Sequence, residues 1–217
     1  MPGIDAVPLV AAIIDEFEQV NAAREQAISQ SRHVIRASAN AIRAAHRAEF
    51  DEAVAEAARA SEMLRDIVDH VADHSSLAGA GYVQDAMKEV AEAHLSIAIL
   101  QGSDLPSPSR LGVSPAAWLN GLAEAASELR RDALDALRRN EVPRAEELLQ
   151  TMDTIYSALV TVDFPDAITG GIRRTTDQLR AVLERTRGDV TFAIRQDRLE
   201  RLLQHTDPTH DPDPEAG

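Results

Sequence analysis

At 217 residues, with 44% hydrophobic residues but only 3% aromatic and no cysteine, the chain suits one globular domain with neither disulfides nor a thiolate metal site. A net charge of −14 argues against polyanion binding by bulk electrostatics, and no apolar run approaches the roughly 20 residues of a membrane span. Of 22 cationic residues only Lys88 is a lysine; many acids with almost no Lys point to a salt-rich cytoplasm, where charge is screened over about 3 Å at 1 M and the objection to nucleic acid weakens.

Segments rich in Val, Ile, Thr or aromatics are few, so strands are poorly supported and an all-α single-domain bundle of about six to seven helices is predicted. The opening "MPGIDAVPLVAAIIDEFE" has no basic region and meets acids early, so it does not read as a signal peptide; a cytoplasmic protein is expected.

Residues 9–47 read as one long N-terminal helix, or two nearly collinear ones. Neither Pro nor Gly interrupts them, and Val10, Ile13, Ile14, Phe17, Val20, Ile28, Val34, Ile35 and Ile42 form an apolar stripe. Residues 50–73 form a second helix, with Val54, Ala57, Ala58, Met63, Leu64, Ile67 and Val71 inward. "HSSLAGAG" breaks the chain, and a third helix over 82–101 ends at Gly102. "SDLPSPSRLG" is a loop. Ser114 can then cap a helix with Pro115 at its first position, running to about Arg139. Asn140 closes it and Pro143 begins the next, over 143–163. Pro165 and Gly170–Gly171 mark a turn before a last helix over about 172–205, in which Gly188 marks a kink or a close contact. The domain is predicted over 1–206, with 207–217 a disordered acidic tail too polar to pack.

Two charge patterns stand out. At about 100° per residue, Arg32, Arg36, Arg43 and Arg47 fall within about 60° of arc on the first helix, and Arg173, Arg180 and Arg187 recur at steps of seven on the last. Such Arg can grip phosphates bidentately, or can pair with acids of neighbouring helices; spacing alone leaves both open. In 82–101, Asp85, Glu89 and Glu92 project away from the apolar side of Val83, Met87, Val90, His94 and Ile97. In 115–139, Glu124, Glu128, Arg131 and Asp135 face away from Leu119, Leu122, Ala126, Leu129, Ala133 and Leu137. Were these helices neighbours, up to four carboxylates would converge where Mg²⁺ and a phosphate could meet; otherwise they are a solvated acidic face. Competing chemistry is less supported: there is no P-loop, no HExxH, and no His with Glu three residues before it. His33, His46 and His94 read as surface or packed residues.

Four stretches, in chain order, resemble the translin family. They are "SRHVIRASANAIRAAHRAEF" at 31–50, "GYVQDAMKEVAEA" at 81–93 (similar to archaeal members), "WLNGLAEAASELRRDALDAL" at 118–137, and "FPDAITGGIRRTTDQLRAVLERTRGDVT" at 164–191. The resemblance implies an all-α fold of about seven helices, closed homo-oligomers (octamer or hexamer), and binding of single-stranded RNA or DNA, with Arg32, Arg36, Arg43 and Arg47 in a nucleic-acid-binding segment and Arg173 and Arg180 repeating the device. The translin-associated factor X branch carries a Mg²⁺-dependent endoribonuclease with Glu-x-x-Glu on one helix and Asp-x-x-x-Glu on another. Glu89 and Glu92 match the first pair; Glu124 and Glu128 match the second, with Glu in place of Asp at 124. The acid set places the chain nearer to that branch than to translin itself. The resemblance thus implies a ribonuclease whose catalytic carboxylates Glu89, Glu92, Glu124 and Glu128 hold Mg²⁺ or Mn²⁺. A non-cutting single-strand binder and a helical scaffold for a protein partner are the two alternatives.

Overall fold

The structure, a computed structural model, describes residues 6–204; the expected tail at 207–217 lies outside the described residues. There the chain is helical with no strand. Six long helices are α1 (Val7–His46), α2 (Phe50–Val71), α4 (Gly81–Gln101), α6 (Pro115–Arg138), α7 (Val142–Leu159) and α9 (Ile172–Gln204). Three single turns, α3 (Ser75–Ala78), α5 (Pro108–Leu111) and α8 (Asp166–Thr169), fall in segments read from sequence as breaks. None of the described helices is long and apolar enough to cross a membrane.

The helix boundaries follow local chemistry. Ser114 accepts a hydrogen bond from the Ala117 amide at 3.1 Å and Pro115 follows it, the expected start of α6. Gly102 takes φ 66° after α4, a left-handed cap that an L side chain would strain. The first helical region is one helix of 40 residues. Gly188 lies within α9 with no neighbour near the space a Cβ would fill, so close packing does not explain it.

α4 is the central helix. It packs against α1 and α2 on one side and α6 on the other, and α6 in turn carries α7 and α9. Much of the core is alanine: Ala86, Ala91, Ala93, Ala123, Ala125 and Ala126 line the α4 and α6 interior with no exposed surface. Such small residues let helix axes approach toward the short end of the usual 8–10 Å. Leu64, Ile67, Leu95 and Leu129 fill the gaps, each worth about 1.5–3 kcal/mol of burial.

Two expectations about the apolar faces fail. Val10, Ile13, Ile14 and Phe17 are 48–66% exposed, because the first turns of α1 project past the helices that cover Ala23 onward. Val54 on α2 is also exposed. Glu92 departs in the other direction: read as facing solvent, it is only 8% exposed, because α6 closes on this stretch of α4.

Candidate metal centre and nucleic-acid interface

The acids converge because α4 and α6 touch at one glycine. A Cβ at Gly121 would lie 2.8 Å from the carbonyl oxygen of Lys88, and 2.9 Å from both the Cβ of Ala91 and the backbone nitrogen of Glu92. Only a residue without a side chain permits that approach. One turn on, Glu124 faces Glu89 and Glu92, and one carboxylate oxygen from each of the three lies within 4.8 Å of the others. The helix pairing anticipated as a condition in the sequence is therefore present, and three of the four predicted carboxylates meet.

The fourth is held apart from them. Glu128 accepts a hydrogen bond from His46 Nε2 at 3.0 Å, while His46 Nδ1 bonds Asp132 at 2.9 Å. The His46 side chain is 2% exposed. Hydrogen bonds to Asp132 and then Glu128 outweigh burial and push its pKa up to about 9, so it is an imidazolium at neutral pH. The same bond pulls the Glu128 carboxyl below its usual range. The sequence reading took His46 as a surface or packed residue and passed over Asp132; the available signal for the bridge was Asp132 four residues after Glu128, on the same helix face.

Glu92 has the opposite electrostatics. Burial, then the charges of Glu89 and Glu124, push its pKa up to about 9, and no cation pairs with it among the described residues. Glu89 is raised too, chiefly by burial, with Lys88 opposing. Lys88 extends its ammonium to 2.8 and 2.9 Å from the two oxygens of Glu124 and 3.4 Å from Glu89. Crowded carboxylates, one of them more than nine-tenths buried, have room for further positive charge. An all-oxygen donor set fits a hard cation such as Mg²⁺ or Mn²⁺ and not a thiophilic one.

A cavity of about 330 Å³ adjoins this cluster between α4, α6 and the start of α9. Lys88 and Glu124 form one wall; Asn120, Thr175, Arg174 and Gln178 form the others. Asn120 fixes its shape: its Nδ2 donates to the carbonyls of Ala116 and Thr169, and its Oδ1 accepts from Thr175 at 2.6 Å. Asp85, on the rim, is exposed. A separate cavity of about 720 Å³ between α2, α4 and the 102–112 loop contains the His94–Ser61 bond of 2.8 Å, but no convergent acid set.

The Arg stripe divides. Arg32 and Arg36 are exposed and form no ion pair among the described residues, whereas Arg43 bonds Asn40 and Arg47 pairs with Glu49 and Glu52. On α9, Arg173 reaches Asp163 at 3.3 Å and Arg187 reaches Asp153 at 2.7 Å, while Arg180 is exposed and without an ion pair. Arg174, which the spacing of seven passed over, is the α9 arginine that borders the cavity.

No known family profile matches the chain. An uncharacterised protein of Methanocaldococcus jannaschii is 25% identical over 197 residues, covering 88% of this chain and 86% of that protein. Among solved structures, AfC3PO in complex with duplex RNA is 31% identical with a TM-score of 0.78, covering 88% of this chain and 98% of its own. AfC3PO is also solved in another crystal structure, 30% identical with a TM-score of 0.77. Apo-NeC3PO, at 16% identity and a TM-score of 0.76 over 86% of this chain, shares the fold. With identity above 30% extending over nearly the whole of AfC3PO, and with its motif segments assembled into the same fold, the chain belongs to the translin family, which includes C3PO.

Proposed function

We propose that this protein binds RNA through its arginine stripe and hydrolyses single-stranded RNA with a divalent ion held by Glu89, Glu92 and Glu124. The observation that supports it most is the three-carboxylate cluster within 4.8 Å, beside a cavity walled by Lys88 and Arg174. AfC3PO, 31% identical, was solved with duplex RNA, which supports RNA as the polymer. Base stacking contributes little in a chain with 3% aromatics, so contacts to phosphate dominate, led by Arg32 and Arg36. The exposed apolar start of α1 supports assembly into a homo-oligomer, an octamer or hexamer, that would cover it.

Hydrolysis joins a water oxygen to phosphorus, breaks the bond to the leaving sugar oxygen and transfers one proton. A bound Mg²⁺ or Mn²⁺ would supply Lewis acidity and a lowered water pKa. Glu128, kept ionised by His46 beside the three-acid cluster, would orient the attacking water by accepting its hydrogen bond, and the water's proton ends on the leaving sugar oxygen. Arg174 would orient the phosphate from the opposite wall of the cavity. A flexible single strand can turn a phosphate into the cavity more readily than a stiff duplex, so single-stranded RNA should be cut faster than duplex.

Glu92→Gln should lower cleavage of a single-stranded RNA by more than about 100-fold, beyond the 10–100-fold typical of an outer-shell partner of a metal site. RNA retention on filters should be unchanged. Replacing both Arg32 and Arg36 by Gln should weaken retention and flatten its log–log salt dependence by about 1.4. Full cleavage by Glu92→Gln would refute the assignment of cleavage to this acid cluster, whereas wild-type protein that retains RNA without cutting it would be a binding protein. Absence of any retention of RNA or DNA would favour the protein scaffold instead.

A further inference from the structure

The sole lysine of the chain is placed inside its only described cluster of candidate metal ligands. We propose that the Lys88 ammonium substitutes for a second divalent ion, so that each protomer binds one Mg²⁺ or Mn²⁺ and not a pair. This inference rests on the metal-site reading above and specifies its stoichiometry.

The geometry supports it first. Ions of a two-metal site lie about 3.5–4 Å apart and share a bridging carboxylate. Lys88 Nζ is 2.8 and 2.9 Å from the Glu124 oxygens and 3.4 Å from Glu89, which is the bridging position between those two acids. A second ion bridging Glu89 and Glu124 would compete for that space. Glu92, buried and without a cationic partner, marks the position that remains.

The charge balance agrees. With Glu89, Glu92 and Glu124 ionised, the three carboxylates and Lys88 together carry −2, which one divalent ion neutralises. Residue choice agrees as well. The other 21 of the 22 Lys and Arg residues are Arg, whose planar fork spreads charge over several atoms, while an ammonium is a compact point charge that fits between two carboxylates. The contact at Gly121 holds the Lys88 backbone against α6, which restricts where the side chain can go. From there the ammonium also borders the cavity and would meet a phosphate oxygen, a contact a resident second ion would otherwise make.

The test is a Mn²⁺ titration of the full chain, read by the electron paramagnetic resonance of free Mn²⁺ and by calorimetry, with no RNA present. The wild type should bind about one ion per protomer, Lys88→Arg about one, and Lys88→Met about two, each within the range expected of one- and two-ion sites. Lys88→Gln replaces the Met variant if circular dichroism shows that variant unfolded. Two ions in the wild type, or one in a folded variant lacking the charge, would overturn the lysine assignment and leave the nuclease reading in place. No ion in the wild type would overturn both.

Discussion

Gly121→Ala is expected to unfold at a temperature several degrees lower than the wild type and to lose divalent-ion binding. The added methyl would sit 2.8 Å from the Lys88 carbonyl and 2.9 Å from the Glu92 nitrogen. Those atoms are backbone, so relief requires α4 and α6 to separate, not a side chain to rotate. Overpacking of this kind costs about 1–3 kcal/mol, and at about 2–4 °C per kcal/mol for a domain of this size the loss is readable by scanning calorimetry. The larger effect is on function. Separation of the helices widens the 4.8 Å cluster, and a site 1 Å too loose can forfeit most of its activity. An unchanged melting temperature together with wild-type Mn²⁺ affinity would show that the α4–α6 contact does not set the site.

The second large effect is a fall in stability on the alkaline side. His46 is raised from its usual value near 6.5 to about 9 in the fold. A raised cationic group stabilises the folded state fully below pH 6.5, and that contribution is lost as pH rises through 9. For a side chain 2% exposed the full contribution is on the order of 3 kcal/mol, or roughly 6–12 °C in Tm. The partners are Asp132 and Glu128 from α6, with Arg47, Asp135 and Arg139 lining the adjoining cleft. Buried Glu92, also raised to about 9, acts in the same direction: its preference for the protonated form stabilises at acid pH and is lost as pH rises from its unfolded value through 9. A divalent ion should remove the Glu92 part and leave the His46 part. Melting curves at pH 6 and pH 9, with chelator and with Mg²⁺, separate the two, and His46→Gln should abolish the part that Mg²⁺ leaves. A Tm independent of pH over that range would contradict the imidazolium bridge.

The long helices were legible because their signals are local. Ser114–Pro115, Gly102 and the 3.6-residue apolar period act within one helix turn, and each marks a boundary that the fold keeps. The acid pair on each of α4 and α6 was legible for the same reason. Burial of Glu92 was not, since it depends on how many neighbours α4 acquires, a property of the assembled bundle. The His46 bridge spans 82 and 86 residues of chain and has no local trace beyond the spacing of Glu128 and Asp132. The apolar face at the start of α1 was read correctly as apolar, but periodicity does not say what covers it. Arg43 and Arg47 share the arc of Arg32 and Arg36, yet their nearest acids and amides lie on their own segment, which an arc alone does not reveal.

One continuous rod, α1, carries both the free arginines and the histidine that steadies Glu128. Arg36 and Arg32 lie ten and fourteen residues before His46, which at 1.5 Å per residue is about 15 and 21 Å along the axis. A continuous helix does not shorten, so the axial distance from these arginines to the Glu128 side of the proposed site is constant. Under the proposed function, oligonucleotides too short to reach across it would escape cleavage, and digestion would end in fragments of a characteristic minimum size, a ruler written into the first helix.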